Sequence, residues 1–587
     1  MKKDSGNRKW LLLMLGLVVV SVALTAAVVL HMVSKEVSNY PWDEQGTESG
    51  QAEILLENIY ITANDTDTVT FLYEGETYRI RGSLREAYRG VADVCIYDGA
   101  IRKIYTKQSQ IDGTLLSYSA DAVEVEGYGL LTRSDSMHVY RMTGEVPEQI
   151  ALSDLAVGTE ALTYIVGEGK ICAILKTEQT AADTIRVLIK NGSDIVYESL
   201  FLTGSDEWTI NGEVQAAGAP VEMTDVVSRM EQTAGNAKDL VDAEIGQVRT
   251  AQVKCTDGFL YITDSDGNKK SEGYEGTFLV RDSDGGVVLV NQLSIEDYVR
   301  YVLPSEMADY FPMEAQKAQA VCARTFAYAQ LNNTGYAAYG ANVDDSTSYQ
   351  VYNRVGTTEL TDRAAQDTYG EILVSDNSPI TCYYYSTSPG VTTDLEVWGE
   401  QSPDYIERVC TLLNLSDKNE YFSGALAKSA GFEEFLSEAP ASYDSSSPYY
   451  RWTAQLCAAD CTYADYGKIL GLSVTNRSVS GYVTELTVSC ENGTAVLTEE
   501  LKIRTLLGGM LSYVELSDQT YRDNLTVLPS ACFYIKQQEG DMYTLSGGGY
   551  GHGIGMSQYA AGAMAEAGMT YEEIVAFFYK NTKIVKQ

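Results

Sequence analysis

The stretch YVLPSEMADYFP, residues 301–312, sets one acid, Glu306, in a Pro-bounded break between two apolar segments of helical period. A carboxyl group mounted on a short connection between packed elements is a candidate general acid, and a solvated surface charge is the plain alternative. Downstream, Lys317 and Arg324 lie close to two helical turns apart, so they share one face of an otherwise uncharged, Ala-rich segment. An arginine among Ala, Val and Phe either pairs with an internal carboxylate or receives an anionic ligand. His552, one of 3 histidines, sits in GGGYGHGIGMSQ, where glycine opens backbone conformations closed to other residues. That loop is either a tight turn with a hydrogen-bonded histidine or a site-lining element. STSPGVTTDLEVWG (386–399) gathers Ser386, Thr387, Ser388, a second carboxylate at Glu396, and Trp398, whose ring either meets a ligand or packs in the core.

The elements that must hold these groups follow from periodicity. LSIEDYVRYVL carries Ile295, Tyr298, Val299 and Val302 at helix spacing, with Ser294 and Asp297 in capping positions, and Pro304 is expected to end it. A second helix opens at Pro312 and runs MEAQKAQAVCARTFAYAQL to the turn signal NNTG. Its small side chains let neighbouring backbone approach closely, as in a helix packed inside a domain. Upstream, residues 53–183 alternate in short runs such as TVTFLYEG and LTYIVGEGKICAILK, the pattern of an all-β module, with hairpin signals at DG (98–99) and GEG (167–169). More strands continue to Asn291, and DSDG occurs at 264–267 and 282–285. Without the ligand alternation to a distal Glu, both read as β-turns rather than calcium loops.

At the start of the chain Lys2, Lys3, Arg8 and Lys9 precede the apolar run Trp10 to Val33. That run spans about 36 Å as a helix against a hydrocarbon core of about 30 Å, and the basic flank orients it with the short side cytoplasmic. The expectation is an uncleaved, single-pass plasma-membrane anchor with the bulk of the chain outside, because a cleaved signal peptide has a shorter apolar stretch. A net charge of −38 excludes a broad electrostatic grip on nucleic acid or anionic lipid. Ten cysteines without a CxxC pair suit buried free thiols rather than a disulfide scaffold or a zinc knuckle. The fold class is α+β: a tail and anchor (1–33), a polar linker (34–52), an all-β accessory module (53–183), and a mixed α+β domain (184–587) built on a central Ala-rich helix.

In order along the chain, LSIEDYVRYVLPSEMADYFPMEAQKAQAVCARTFAY, DSTSYQVY (345–352), YYYSTSPGVTTDLEVWG (383–399), IRTLLG (503–508) and GGGYGHGIGMSQYAAGAMAEAG (547–568) resemble the SpoIID/LytB family of sporulation and cell-wall proteins over roughly 185–587. The resemblance implies a lytic transglycosylase acting on peptidoglycan strands stripped of stem peptides. The Glu of the EM tripeptide, here Glu306, is then the single catalytic acid, and no cofactor is needed. A protonated Glu gives its proton to the glycosidic oxygen and then, as carboxylate, takes one from the sugar's 6-hydroxyl, which closes a 1,6-anhydro ring. Stripped strands expose the lactyl carboxylate of muramic acid, for which Lys317 and Arg324 are the expected receivers. His552, Ser557 and Gln558 are expected to line the cleft, Ser386, Ser388 and Trp398 to touch the sugar, and Glu396 to be the runner-up carboxylate. The implied partners are glycan strands and a cell-wall amidase, with no nucleic acid. LytB-type relatives are described as amidase enhancers, which leaves a non-catalytic glycan-binding role as the alternative. Some sporulation members carry zinc ligands, a His and two Cys, near the segment that here reads YGANVDDSTSYQVY (339–352). This chain has neither residue type there, so no metal is expected and Asp345, Gln350 and Tyr352 must order the segment instead.

Overall fold

The computed structural model describes residues 54–587 apart from 85, 145, 178–183, 231–243, 247, 353–355, 414–423 and 460. The anchor and linker expected over 1–52 lie outside the described residues, and among those described no helix is long and apolar enough to cross a membrane. The architecture is mixed α+β, with many strands and eight α-helices among the described residues. These are α1 Met223–Arg229, α2 Ile295–Glu306, α3 Met313–Gln330, α4 Glu359–Asp367, α5 Ser429–Glu438, α6 Glu500–Gly508, α7 Gln558–Glu566 and α8 Tyr571–Phe578.

Residues 54–177 are strands, turns and one short 3-10 turn, arranged as two β units. The first is a closed barrel in the order Ile54–Asn64, Thr68–Tyr73, Glu76–Arg81, Ala100–Thr106, Gly90–Tyr97. Alternate residues fill it, among them Ile59, Ile61, Val69, Phe71 and Val94. The DG signal is its hairpin turn: Asp98 and Gly99 take φ of 50° and 70°, the left-handed pair a two-residue turn requires. The second unit is a sheet centred on the long strand Gly129–Met142, which Glu244–Gly246 also joins.

The next unit is a seven-stranded sheet from Glu213–Gln215 to Val343–Asp344, antiparallel except for its last pair. Its strand Gly286–Ser294 runs straight into α2, because the Ser294 hydroxyl accepts the Asp297 N–H at 3.0 Å and caps the helix. Pro304 does not end that helix, contrary to expectation. Its missing N–H costs one bond near the C-terminus. The turn still closes, with the Ser305 hydroxyl donating to the Tyr301 carbonyl (3.0 Å) and Met307 N–H donating to the Leu303 carbonyl (2.9 Å). Glu306 is therefore the last residue of α2 rather than part of a loop.

Helix α3 begins after Pro312 as expected and is the shared wall of two cores. Ala320, Ala323 and Ala327 face the core beneath the seven-stranded sheet. Ala315, Ala318, Val321, Cys322 and Phe326 face a second core that includes Met307, Phe311, Ile554 and Met556. Small residues at three- and four-residue spacing allow this two-sided packing, since any larger side chain would hold one neighbour away. A five-stranded sheet around Trp452–Cys457 completes the C-terminal half with its own core. None of the ten cysteines is in a disulfide, and eight are buried.

Candidate active site

Glu306 ends α2 with its carboxyl against the turn that follows Gln350. Its Oε1 accepts the Val351 backbone N–H at 2.7 Å, and the Tyr384 hydroxyl is a second hydrogen-bond partner. Surrounding protein desolvates the group and raises it from 4.5 to about 7, while these two bonds pull the other way. A carboxyl poised there holds a proton at neutral pH and can release it, which is what general acid and base work in one residue demands. Glu306 as a residue is half-buried rather than sealed inside.

Tyr384 is the neighbour of Glu306 that sequence reasoning missed. Its hydroxyl oxygen accepts from Gln350 Nε2 at 3.0 Å, which leaves its own proton to point at Glu306. Alternation along YYY was the available signal, because a strand turns the middle tyrosine to the face opposite its neighbours. Gln350 also donates to the Ala323 carbonyl, and the Tyr352 hydroxyl donates to Asn291. Asp345 Oδ1 accepts the Lys190 N–H, so the 345–352 turn is fixed by hydrogen bonds. Among the described residues, no three His, Cys, Asp or Glu side chains gather as a metal site.

The glycine loop closes the other side. Gly549, Gly551, Gly553 and Gly555 all take left-handed φ, and a Cβ on Gly555 would lie 1.9 Å from the Tyr383 carbonyl oxygen, so only glycine permits this approach. His552 Nε2 lies 3.0 Å from the Tyr384 carbonyl and its Nδ1 accepts the Ile554 N–H. That pattern defines a neutral ring with its proton on Nε2, and burial agrees by lowering the group to about 4. His552 is thus spent on orienting the Tyr384 strand. Trp398 packs edge-on against Tyr383 at 5.1 Å and lies 5.5 Å from His552, and it remains partly exposed.

Other candidates are placed differently from expectation. Arg324 is fully buried and forks onto Glu296 with two 2.8 Å bonds, while also donating to the Ala365 and Glu371 carbonyls. It is the internal ion pair and offers nothing to a ligand. Lys317 bonds Glu314 at 3.1 Å and Asp367 at 3.2 Å, so its charge is spent on the α3–α4 contact. Ser388 and Ser557 are buried and converge on Asp444, a buried carboxylate that nothing in the sequence had marked. The Ser388 N–H donates to Asp444 Oδ1 at 2.8 Å, and the Ser557 hydroxyl donates to the same oxygen. Ser386 lends its carbonyl to the Ser557 hydroxyl and to the Tyr559 N–H, and its own hydroxyl faces that of Thr387. Glu396 is exposed and lies 3.6 Å from Arg408. Gln558 donates to the Glu306 carbonyl at 3.0 Å and so fixes the end of α2 to the start of α7. The residues that converge on the carboxyl are therefore Glu306, Tyr384, Gln350 and the Val351 N–H, with Gln558 and His552 holding their backbones.

One half-buried glutamate at the end of a helix, its carboxyl raised to about 7 and walled by a glycine-rich loop, is the candidate site of this α+β scaffold. Comparison with known proteins supplies the family. A family model described as Stage II sporulation protein matches residues 283–374, and one described as a domain of unknown function (DUF8618) matches 393–555. Stage II sporulation protein D of Bacillus subtilis is 31% identical over 310 residues, covering 50% of this chain and 75% of that protein. The amidase enhancer of the same organism is 29% identical over 304 residues, 48% of this chain and 39% of its own length. Stage II sporulation protein D of Bacillus amyloliquefaciens is 28% identical over 309 residues, 50% and 75% of the two chains. The chain belongs to the SpoIID/LytB family.

Proposed function

We propose that this protein is a peptidoglycan lytic transglycosylase that cleaves MurNAc–GlcNAc bonds in peptide-stripped strands. It would work outside the plasma membrane, to which residues 10–33 would anchor it, in cell-wall remodelling or sporulation. The observation that carries the reading is the carboxyl of Glu306, held at about 7 by desolvation in a residue that is half-buried rather than sealed. In the protonated form Glu306 donates to the bridging oxygen as the anomeric C–O bond breaks, and the leaving sugar departs as an alcohol. The resulting carboxylate, stabilised by the Val351 N–H and the Tyr384 hydroxyl, then takes the proton of the 6-hydroxyl. That oxygen bonds to the anomeric carbon, giving a 1,6-anhydro end and returning Glu306 to its acid form. No water is consumed and no second carboxylate is required. This fits the place of Glu396, which lies beside Arg408 and outside the residues that meet Glu306.

A relative named amidase enhancer supports a second reading, a non-catalytic cleft that holds glycan for an amidase. Turnover separates the two. Full-length protein in detergent, incubated with denuded strands, is expected to generate anhydro-muramic ends detectable by mass spectrometry, and Glu306→Gln is expected to generate none. Binding without product from wild-type protein would leave the enhancer role standing and remove the enzyme.

A further inference from the structure

We propose that an aromatic ridge leading from Glu306 onto the 393–555 unit is the track that binds the glycan strand, with Arg522 as the receiver of a muramic lactyl carboxylate. The proposal rests on the reading of Glu306 as the cutting residue. The ridge starts four residues beyond that glutamate, at Tyr310, which is 66% exposed. Its ring stacks on Phe311 at 4.6 Å, and its hydroxyl lies 3.0 Å from that of Tyr559. Tyr559 follows Gln558, the residue bonded to the Glu306 carbonyl, and meets Phe311 edge-on at 5.3 Å. Next comes the glycine loop: the Tyr559 N–H donates to the Ser386 carbonyl, and the adjacent Thr387 exchanges two backbone bonds with Tyr550 (3.1 and 2.9 Å), while the strand carrying Arg522 is tied to Tyr449 through the Ser517 N–H, which donates to the Pro448 carbonyl at 3.0 Å. Tyr449 stacks on Tyr550 of the glycine loop at 4.4 Å, and the Gly549 N–H donates to the Tyr449 carbonyl at 2.8 Å, which fixes the pair.

Four tyrosines in a row, each at least partly exposed, are unusual for a core edge but fit a pyranose chain. The C–H faces of the sugars cover the rings while the phenol hydroxyls meet the sugar hydroxyls. Arg300, Lys317 and Arg324, the cations flanking Glu306 in sequence, are all consumed by carboxylates of the same chain. Arg522 is exposed, donates to the Tyr521 carbonyl, and makes no ion pair among the described residues, although Asp518 lies within reach of its field. A guanidinium at the end of a sugar-binding ridge, on a chain of net charge −38, is a site for a repeating acidic sugar rather than for a neutral one. Tyr449, Arg522 and Tyr550 all lie within residues 393–555, so the ridge gives that unit a role.

The test is equilibrium binding by full-length protein in the Glu306→Gln background, with denuded muramyl strands compared with chitin oligomers of equal length. Tyr449→Ala and Tyr310→Ala are each expected to weaken both ligands about tenfold, the scale of one lost stacking contact. Arg522→Ala is expected to weaken muramyl strands about threefold at low salt and leave chitin oligomers unchanged, and added salt should erase the difference. Arg522 and Tyr310 are exposed, so these variants fold. Unchanged binding of muramyl strands by both would overturn the track even if the wild-type protein cuts them. Weakened binding alongside a wild-type protein that does not cut would uphold the track and sink the catalytic reading.

Discussion

At the scale of the residue, Glu306 carries two competing influences, desolvation that keeps its proton and hydrogen bonds that remove it. General acid and base work in one group is worth about 10²–10⁴ in rate, so Glu306→Gln should lower strand cutting at least about a hundredfold while strand binding survives. Desolvation also makes stability depend on pH. The folded carboxyl titrates at about 7 and the unfolded one near 4.5, so the folded chain binds the proton more tightly. Its contribution is complete below 4.5 and is lost as pH climbs to about 7, at most about 3 kcal/mol in all. Relative to Glu306→Gln, the wild-type protein should lose thermal stability across that window and not beyond it. Equal pH dependence in the two melting curves would exclude the buried, raised acid. In the proposed reaction Tyr384 acts through Glu306 as a positioning residue. Tyr384→Phe deletes a bond to the ionised form, so the alkaline limb of the pH–rate profile should move upward while kcat falls about tenfold and KM holds. A purely structural tyrosine would not move that limb.

At the scale of the element, α3 shows why a basic side chain on a promising helix can have nothing to do with ligand. Arg324 joins α3 to the first turn of α2 through Glu296, whose carboxylate also accepts the Gly370 N–H, so three segments meet on one ion pair. Removing one partner leaves a buried charge. Arg324→Ala should therefore cost about 3–5 kcal/mol, and pairing Arg324→Met with Glu296→Leu should recover much of it, read by chemical denaturation. The capped start of α2, the start of α3 and both hairpins were legible in sequence, because they depend on contacts within a few residues. The end of α2 was not, because the bonds that carry it past Pro304 come from the individual geometry of Ser305 and Met307.

At the scale of the whole molecule, the N-terminal β units are bonded into the family domain. Arg281 of the seven-stranded sheet pairs with Glu124 of the second β unit, both 3% exposed, and Ser117 bonds each of them. Beside them Arg186, also buried, donates to Gln292 and to the Leu116 carbonyl. Deleting the β units would strand Arg281 at an uncovered surface, and Glu124→Ala would strand it inside. The latter should cost about 3 kcal/mol or more and lower the midpoint of thermal unfolding, with local hydrogen exchange rising on both sides of the contact. Unfolding at the wild-type temperature would show that the two parts are independent.

By itself the sequence determined the β-rich first part, the two helices and the family, since caps, turn residues and motif order are local properties of the chain. Only the tertiary structure decided which polar groups are free. Arg324, Lys317, Ser388 and Ser557 looked like ligand contacts until Glu296, Asp367 and Asp444 arrived from elsewhere in the chain to satisfy them. Tyr384 carried no individual mark in the sequence, and the fold alone brought it to Glu306. A charge or hydroxyl is available to a substrate only if nothing nearer claims it, and proximity across dozens of residues is settled by packing rather than by spacing.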